Sequence, residues 1–574
     1  MKAKQLFIIL IVFITNQFVY GQSYPKDYFR PPLDIPLFLS GTFGELRSNH
    51  FHSGMDIRTQ EKPGFKVYAI ADGYVSRVKI APGGYGRALY ITHPNGYVSV
   101  YGHLQEYEKK LNDYILSEQY RKKSYSVDLY FKKGQFPVKK GDIVALTGDS
   151  GRSGGPHLHF EIRDAKTQKP INPLLFGFKV EDKKSPFINI LKIYPADNNS
   201  LINGHKSPVE IRTEWSKDLY KLKGNDTIDI SGKAYFGINT YDPFNGGKNK
   251  NGVYSIKMAV DSTQVYSHRM ETFSFDETRY INSFMDYKEF SQKRRTIQKS
   301  FIQPNNRLSI YKDVINRGII DFNDGEVHKI TYDVSDVPGN KSTLEFWVKS
   351  DTTGIKKAAI IPSGTLFTFS GTNTFEKEGL KLTVPGKALY DTLYFKYGTS
   401  PAPEQGLSKL YHLHYDYVPL QTWCSLKIPA NDIPERLTNK ILIAKLDNKN
   451  NISSAGGEFE NGSITAKIRE FGDYFITADT IPPEIRPVNI KNGKNISKQN
   501  TIKVKITDEL SGIKSYYPTL NGNWILMEYD VKNDMLIYRY DDLLKKGKNI
   551  FQLKVTDEKG NISTYKANLE YQMP

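Results

Sequence analysis

The segment Ser150-Gly-Arg-Ser-Gly-Gly-Pro-His157-Leu158-His159-Phe160-Glu161-Ile162-Arg163 decides the fold of the chain's first part. Its second half alternates polar and apolar residues, the pattern of a strand with one buried face. Leu158, Phe160 and Ile162 point to a core, and His157, His159, Glu161 and Arg163 share the opposite face. The Gly/Ser turn before it is closed by Pro156, which ends any helix and aims the strand. Two histidines on one strand face have Cα atoms roughly 7 Å apart. That spacing is awkward for two ligands of one metal and suits one ligand beside one acid/base group. Further ligands must come from elsewhere.

The stretch His50-Phe-His52-Ser-Gly54-Met-Asp56-Ile-Arg58 supplies them. On a straight strand His52 and Asp56 lie roughly 13 Å apart, too far to share a metal. A bend at Ser53-Gly54 brings the two side chains together. His52, Asp56 and His159 then form a two-nitrogen, one-oxygen set with a fourth position open to water. A hydrolytic zinc needs such an arrangement, because it lowers the pKa of bound water towards ~7. No His-Glu-x-x-His helix occurs. The candidates for proton transfer are His157 and the histidine of Tyr101-Gly-His103-Leu104.

In this order, His52-x-Gly54-x-Asp56, Tyr101-Gly-His103-Leu104 and Gly154-Gly-Pro-His157-Leu-His159 resemble the lysostaphin/LytM-type zinc endopeptidases of bacterial cell walls, which have the duplicated hybrid motif fold. The connecting text agrees at Val67-Tyr-Ala-Ile-Ala-Asp-Gly73, Gly84-Tyr-Gly86, Val138-Lys-Lys-Gly-Asp142, Gly148-Asp-Ser-Gly-Arg-Ser-Gly154 and Ile171-Asn-Pro173. The likeness covers residues 37–178, under a third of the chain. It implies that His52, Asp56 and His159 bind Zn2+, and that His103 and His157 handle the water and the tetrahedral intermediate. All five positions are filled. Glu161, on the metal-facing side, is a candidate to orient a ligand histidine, with a salt bridge to Arg163 as the alternative.

Met1-Lys-Ala-Lys4 followed by Leu6-Phe-Ile-Ile-Leu-Ile-Val-Phe-Ile14 reads as a signal peptide over 1–21, cut before Gln22. The apolar run is short for a membrane span, and no cysteine follows the cut for lipid attachment. The expectation is an exported protein, periplasmic or at the bacterial cell surface, with no integral span after cleavage. Its 574 residues are too many for one core. Cys424 is the only cysteine, so no intramolecular disulfide forms. The formal charge of +17 becomes +15 without Lys2 and Lys4. That excess suits an anionic wall polymer or serves solubility. No basic helix or RNP-like motif favours nucleic acid.

Residues 22–36, with Pro25, Pro31, Pro32 and Pro36, read as an extended lead-in to the peptidase-like domain, which then spans 22–178 with its core at 37–178. Asp-Gly and Asn-Gly turns between short strands predict antiparallel β structure. At about 105–127, Tyr107, Leu111, Tyr114 and Ile115 recur at helical spacing. This helical insertion begins beside His103 and either walls the groove or packs beside the domain.

Beyond Pro173 the pattern is strands and polar turns. Val327 to Thr343 parallels Asn549 to Thr564, each running into an Asp-x-x-Gly-Asn turn, at Asp336 and Asp557. Asn251-Gly-Val-Tyr-Ser255 and Ser511-Gly-Ile-Lys-Ser515 form a second matching pair. These segments, 183–350 and 481–571, resemble immunoglobulin-like β-sandwich modules of bacterial surface proteins, and 356–480 reads as a further β domain of unassigned type. Tyr411-His412-Leu413-His414-Tyr415 repeats the His-Leu-His triplet without a Gly-rich turn, as on an ordinary half-buried strand. No clustered Cys, His or carboxylate set is visible after residue 180, so the β modules are expected to carry no catalysis and to position the enzyme or contact wall and protein partners. A chain cut near Asp182 is accordingly expected to keep zinc.

The fold class is therefore mainly β: an antiparallel β-sheet zinc peptidase domain with a helical insertion, then several β-sandwich modules. The functional expectation is an exported zinc metalloendopeptidase acting on peptidoglycan cross-links or stems. The alternative is a non-catalytic wall-binding or hydrolase-activating scaffold.

Overall fold

The computed structural model describes residues 24–244, 249–352 and 363–572. The expected signal peptide lies outside these residues. Among the described residues no helix is long and apolar enough to cross a membrane.

The chain is mainly β, as its patterning requires. In the first domain a mixed-length antiparallel sheet runs Leu39–Gly41, Met55–Arg58, His157–Asp164, Tyr97–Gly102, Arg87–Thr92, Gly73–Ile80 and Val127–Tyr130. A three-stranded sheet of Lys66–Tyr68, Ile143–Thr147 and Leu104–Tyr107 packs on it through a shared core. His157–Asp164 is central, between Met55–Arg58 and Tyr97–Gly102, with His159 opposite both Asp56 and Gly102. That register puts Asp56 and His159 side by side on one face and brings His103, the residue after Gly102, to the same end.

Leu158, Phe160 and Ile162 are fully buried, as alternation predicts. The other face of the strand is also buried, with His159 2% and Glu161 0% exposed. Alternation marks polarity, not exposure, and here a polar network covers the second face. Gly54 is required beside it: a Cβ there would sit 2.3 Å from the Phe160 carbonyl oxygen.

The predicted helix is Lys109–Lys122, capped by Glu108 and closed by Lys123 in the left-handed region. Leu111 and Ile115 enter the domain core. The helix lies beside the domain and not over the groove: Tyr120 packs edge-on against Trp524 of the last module and its hydroxyl bonds Asp541. The lead-in is likewise docked, with Tyr24, Phe29 and Leu33 in the same core.

Three further cores follow. Residues 187–350 form one sheet that closes on itself where Thr227–Tyr241 pairs both Phe187–Pro195 and, in parallel, Lys341–Ser350. Residues 373–478 build two five-stranded sheets, and 484–571 a four- and a five-stranded sheet. Strand His-Leu-His in the middle domain is ordinary: His412 bonds Asp473 and Ser400, and His414 Nδ1 accepts from the Lys396 amide.

The expectation that no carboxylates cluster beyond residue 180 needs correction, and the cut proposed near Asp182 would cross a shared core. The peptidase segment does not end in a free surface near Asp182. Phe43 and Phe51 share a core with Phe273, Ile281 and Phe284 of the next module. The Phe51 amide donates to Thr278 Oγ1, and Tyr24 and Asn172 bond Glu271. Carboxylates also do cluster after residue 180, as Asp182, Asp242 and Asp336 and as Asp479, Asp508 and Asp557. Their members are far apart in sequence and meet only through strand pairing and module packing.

Candidate metal centre

His52, Asp56 and His159 converge as one buried group. His52 Nε2 lies 3.0 Å from His159 Nδ1 and 3.1 Å from Asp56 Oδ1, and His159 Nδ1 is 2.9 Å from Asp56 Oδ1. Ligand atoms of a tetrahedral zinc at ~2.0 Å stand about 3.3 Å apart, so the triangle is of the right size. The opposite nitrogen of each histidine is occupied. His52 Nδ1 donates to the Thr42 carbonyl at 2.8 Å, and His159 Nε2 to Glu161 Oε1 at 2.9 Å. These bonds fix the tautomers, leaving His52 Nε2 and His159 Nδ1 as the lone-pair atoms. Asp56 Oδ2 is taken by Arg47 Nη2 at 2.6 Å, so Oδ1 is the carboxylate atom facing the histidines. The donor set fits zinc in number, type and spacing.

Protonation follows from the same contacts. Burial opposes a charge on Asp56, but His52, His157 and His159 outweigh it and hold the carboxyl well below its usual range. Burial also lowers His52. It acts likewise on His159, where Asp56 and Glu161 overcome it and raise the pKa to about 9. Cation binding at Nδ1 would therefore release a proton.

His103 and His157 flank this group, their rings 4.8 Å apart. His103 Nδ1 donates to the Ser150 carbonyl at 2.8 Å, and His157 Nδ1 to that of Gly155 at 2.8 Å. Both therefore keep Nε2 free, and His157 Nε2 is 3.5 Å from Asp56 Oδ1. Burial, with His159 and His157 adding to it, lowers His103 to about 3, so it stays a neutral acceptor. Asp56, His103 and His157 line a groove of about 580 Å³ together with Ser40, Arg58 and Arg152, and His52 and His159 lie buried behind it.

Four contributors were not singled out by role in the sequence: Arg47, the Thr42 carbonyl, Ser53 and Tyr85. Tyr85 stacks on His159 at 4.8 Å and its hydroxyl donates to Glu161, as does Ser53 Oγ at 2.6 Å. Arg163 Nε donates to Glu161 Oε2 at 2.6 Å. Glu161 thus does both things foreseen for it, holding His159 with one oxygen and Arg163 with the other. The Gly84-Tyr-Gly86 text was the available signal for Tyr85. His50 points away and bonds the Ser48 carbonyl.

Residues 50–120 and 122–173 match the model of Peptidase family M23, and residues 364–479 that of a Zu5-like domain. The segment 50–173 is an M23 peptidase domain, and it carries His52, Asp56, His103, His157 and His159. A DD-carboxypeptidase/endopeptidase Mpg of Neisseria meningitidis is 32% identical over 129 residues, 22% of this chain and 23% of that protein. An uncharacterized metalloprotease of Haemophilus influenzae is 32% identical over 160 residues, 27% of this chain and 28% of that one. The catalytic domain of the prophage-encoded M23 protein EnpA from Enterococcus faecalis is similar at 24% identity, covering 27% of this chain and 99% of that chain, with a TM-score of 0.20. The chain spans about a quarter of the length of the two curated relatives it matches here.

Proposed function

We propose that the protein is an exported zinc metalloendopeptidase that hydrolyses peptide bonds in peptidoglycan cross-links or stems, in the periplasm or at the cell surface. The observation that carries this reading is the convergence of His52 Nε2, Asp56 Oδ1 and His159 Nδ1 within 3.1 Å of one another, under a groove. Zinc bound there would supply a Lewis acid for the scissile carbonyl and an acidified water. His52, Asp56 and His159 would hold it. His103 and His157 present free Nε2 atoms on the groove side, each fixed by a carbonyl at Nδ1. One takes the proton of the attacking water, and either, once protonated, stabilises the oxyanion and returns the proton to the leaving amine. Arg58 and Arg152 line the groove and suit the carboxylates of wall peptides.

The test is digestion of purified wall fragments by zinc-loaded and chelator-treated protein, with mass analysis of the products. New amine and carboxyl ends in the zinc-loaded arm alone are expected. Intact fragments in both arms, with fragments still bound, would leave the scaffold reading standing instead.

A further inference from the structure

Asp182 stands where the peptidase segment runs into the next module. Asp242 ends the strand Thr227–Tyr241 and forms an isolated bridge with Asn251, and Asp336 opens the Asp-x-x-Gly-Asn turn. Each offers a carboxylate oxygen within 4.8 Å of the others. Asp242 is 0% and Asp336 4% exposed. Asp336 is partly explained by its turn, since Oδ1 accepts from the Gly339 and Asn340 amides and Oδ2 from Asn340 Nδ2. Asp242 is not. Among the described residues neither of its buried oxygens has a hydrogen-bond partner.

A second observation involves no acid. Asn251 is 2% exposed, and both polar atoms of its side chain are buried and unpartnered among the described residues. Its backbone exchanges both hydrogen bonds with Asp242, at 2.9 and 3.0 Å. Residues paired in this way project their side chains on the same face, so the Asn251 carboxamide and the Asp242 carboxylate share one face of the bridge. A carboxylate such as that of Asp242 and a carboxamide left bare in a protein interior cost several kcal/mol unless something satisfies them. An all-oxygen set without nitrogen or sulfur suits a hard divalent cation with flexible geometry.

We propose that Asp182, Asp242 and Asp336, with Asn251 Oδ1, bind a calcium ion that fastens the first β module to the peptidase domain. Described residues next to Asp242 and Asn251 reach into that domain. Phe244 lies in the peptidase core. Asn249 donates to the Ser40 carbonyl at 2.6 Å and accepts from Arg58 at 3.2 Å. The Gly252 amide donates to Thr42 Oγ1 at 3.0 Å. Thr42 is the residue whose carbonyl holds His52, so the ion pins the support of the zinc site from outside it. Asp479, Asp508 and Asp557 repeat the arrangement, with Asn561 placed as Asn340 is. There, backbone amides occupy Asp479 Oδ2 and Asp508 Oδ2, and the proposal is confined to the first cluster.

The experiment counts calcium in the zinc-loaded full-length protein after equilibration with CaCl2 up to about 5 mM, a range set by extracellular calcium modules. Wild type, Asp242→Asn and Asp182→Asn are compared, with zinc content and melting temperature read alongside. Each variant is expected to hold one calcium fewer than wild type, to keep its zinc, and to lose part of the melting-temperature rise that calcium produces. If Asp242→Asn does not fold, Asp182→Asn decides. Equal calcium in wild type and the folded variants, or none in wild type, overturns the proposal. Neither readout depends on peptidase activity.

Discussion

At the scale of single residues, the proposed function makes His52, Asp56 and His159 cation ligands and His103 and His157 proton carriers. Asp56→Ala is expected to lose zinc with the distant β cores still folded, while His103→Ala and His157→Ala keep zinc and lose turnover by about 10²-fold or more. Metal analysis beside single-turnover rates checks this, and a stoichiometrically loaded Asp56 variant would undo the ligand assignment. His412→Ala should change neither reading, since its partners are Asp473 and Ser400. Glu161→Gln tests a finer point. Its carboxylate carries His159, Ser53, Tyr85 and Arg163 at once. Zinc affinity is expected to fall 10–100-fold through the loosened histidine. Stability should fall by about 3–5 kcal/mol through an unpaired buried Arg163. Unchanged zinc affinity in a destabilised variant would reduce Glu161 to a salt-bridge partner. The five side chains could be picked out in the sequence because they sit in short motifs on or directly beside neighbouring strands. Arg47 and the Thr42 carbonyl were not, because a bond from a loop to a metal ligand leaves no periodicity behind.

Elements set the tolerances. Met55–Arg58 lies against His157–Asp164 so closely at Gly54 that a methyl group meets the Phe160 carbonyl. Gly54→Ala is expected to cost about 1–3 kcal/mol in strand displacement and to weaken zinc binding, as read by unfolding curves and competition with a chelating dye. Full stability with native zinc affinity would show that the bend absorbs the methyl group. The short helix Tyr287–Lys293 offers a test by pH. Burial raises the Glu289 carboxyl, but Lys192 and Arg295 outweigh it and bring it to about 2, against an ordinary 4.5. A depressed carboxylate stabilises the fold above the ordinary value, and the gain disappears as pH falls from 4.5 to about 2. Glu289→Gln should therefore be less stable than wild type at pH 6, by about 2–3 kcal/mol, and nearly equal to it near pH 2. A gap independent of pH would locate the loss in packing. Strand alternation and the 109–122 helix were readable from periodicity. The side of the domain on which that helix packs was not, since its apolar stripe is the same in either place.

For the whole molecule, the shared core of Phe43 and Phe51 with Phe273 and Phe284 changes what truncation does. A chain ending near Asp182 is expected to aggregate or melt far below the full-length protein, and one ending near residue 352 to stay folded with zinc bound. Scattering and thermal melts distinguish the two, and a soluble, zinc-loaded short form would restore an independent peptidase domain. The sequence showed several β domains but not their dependence on one another, because aromatic residues on either side of a boundary look like ordinary core. The last module also returns to the first domain. Arg87 pairs with Glu528, 441 residues away, and Lys532 binds Asp149, whose neighbour Ser150 anchors His103. A chain made from its N-terminus exposes every zinc ligand long before Glu528 and Lys532 exist. The four histidines and one aspartate of the site are therefore early products, and the contact behind the His103 anchor is a late one. Contacts of such sequence separation form slowly, so the Lys532–Asp149 pairing behind the His103 anchor is completed only once the final module has folded.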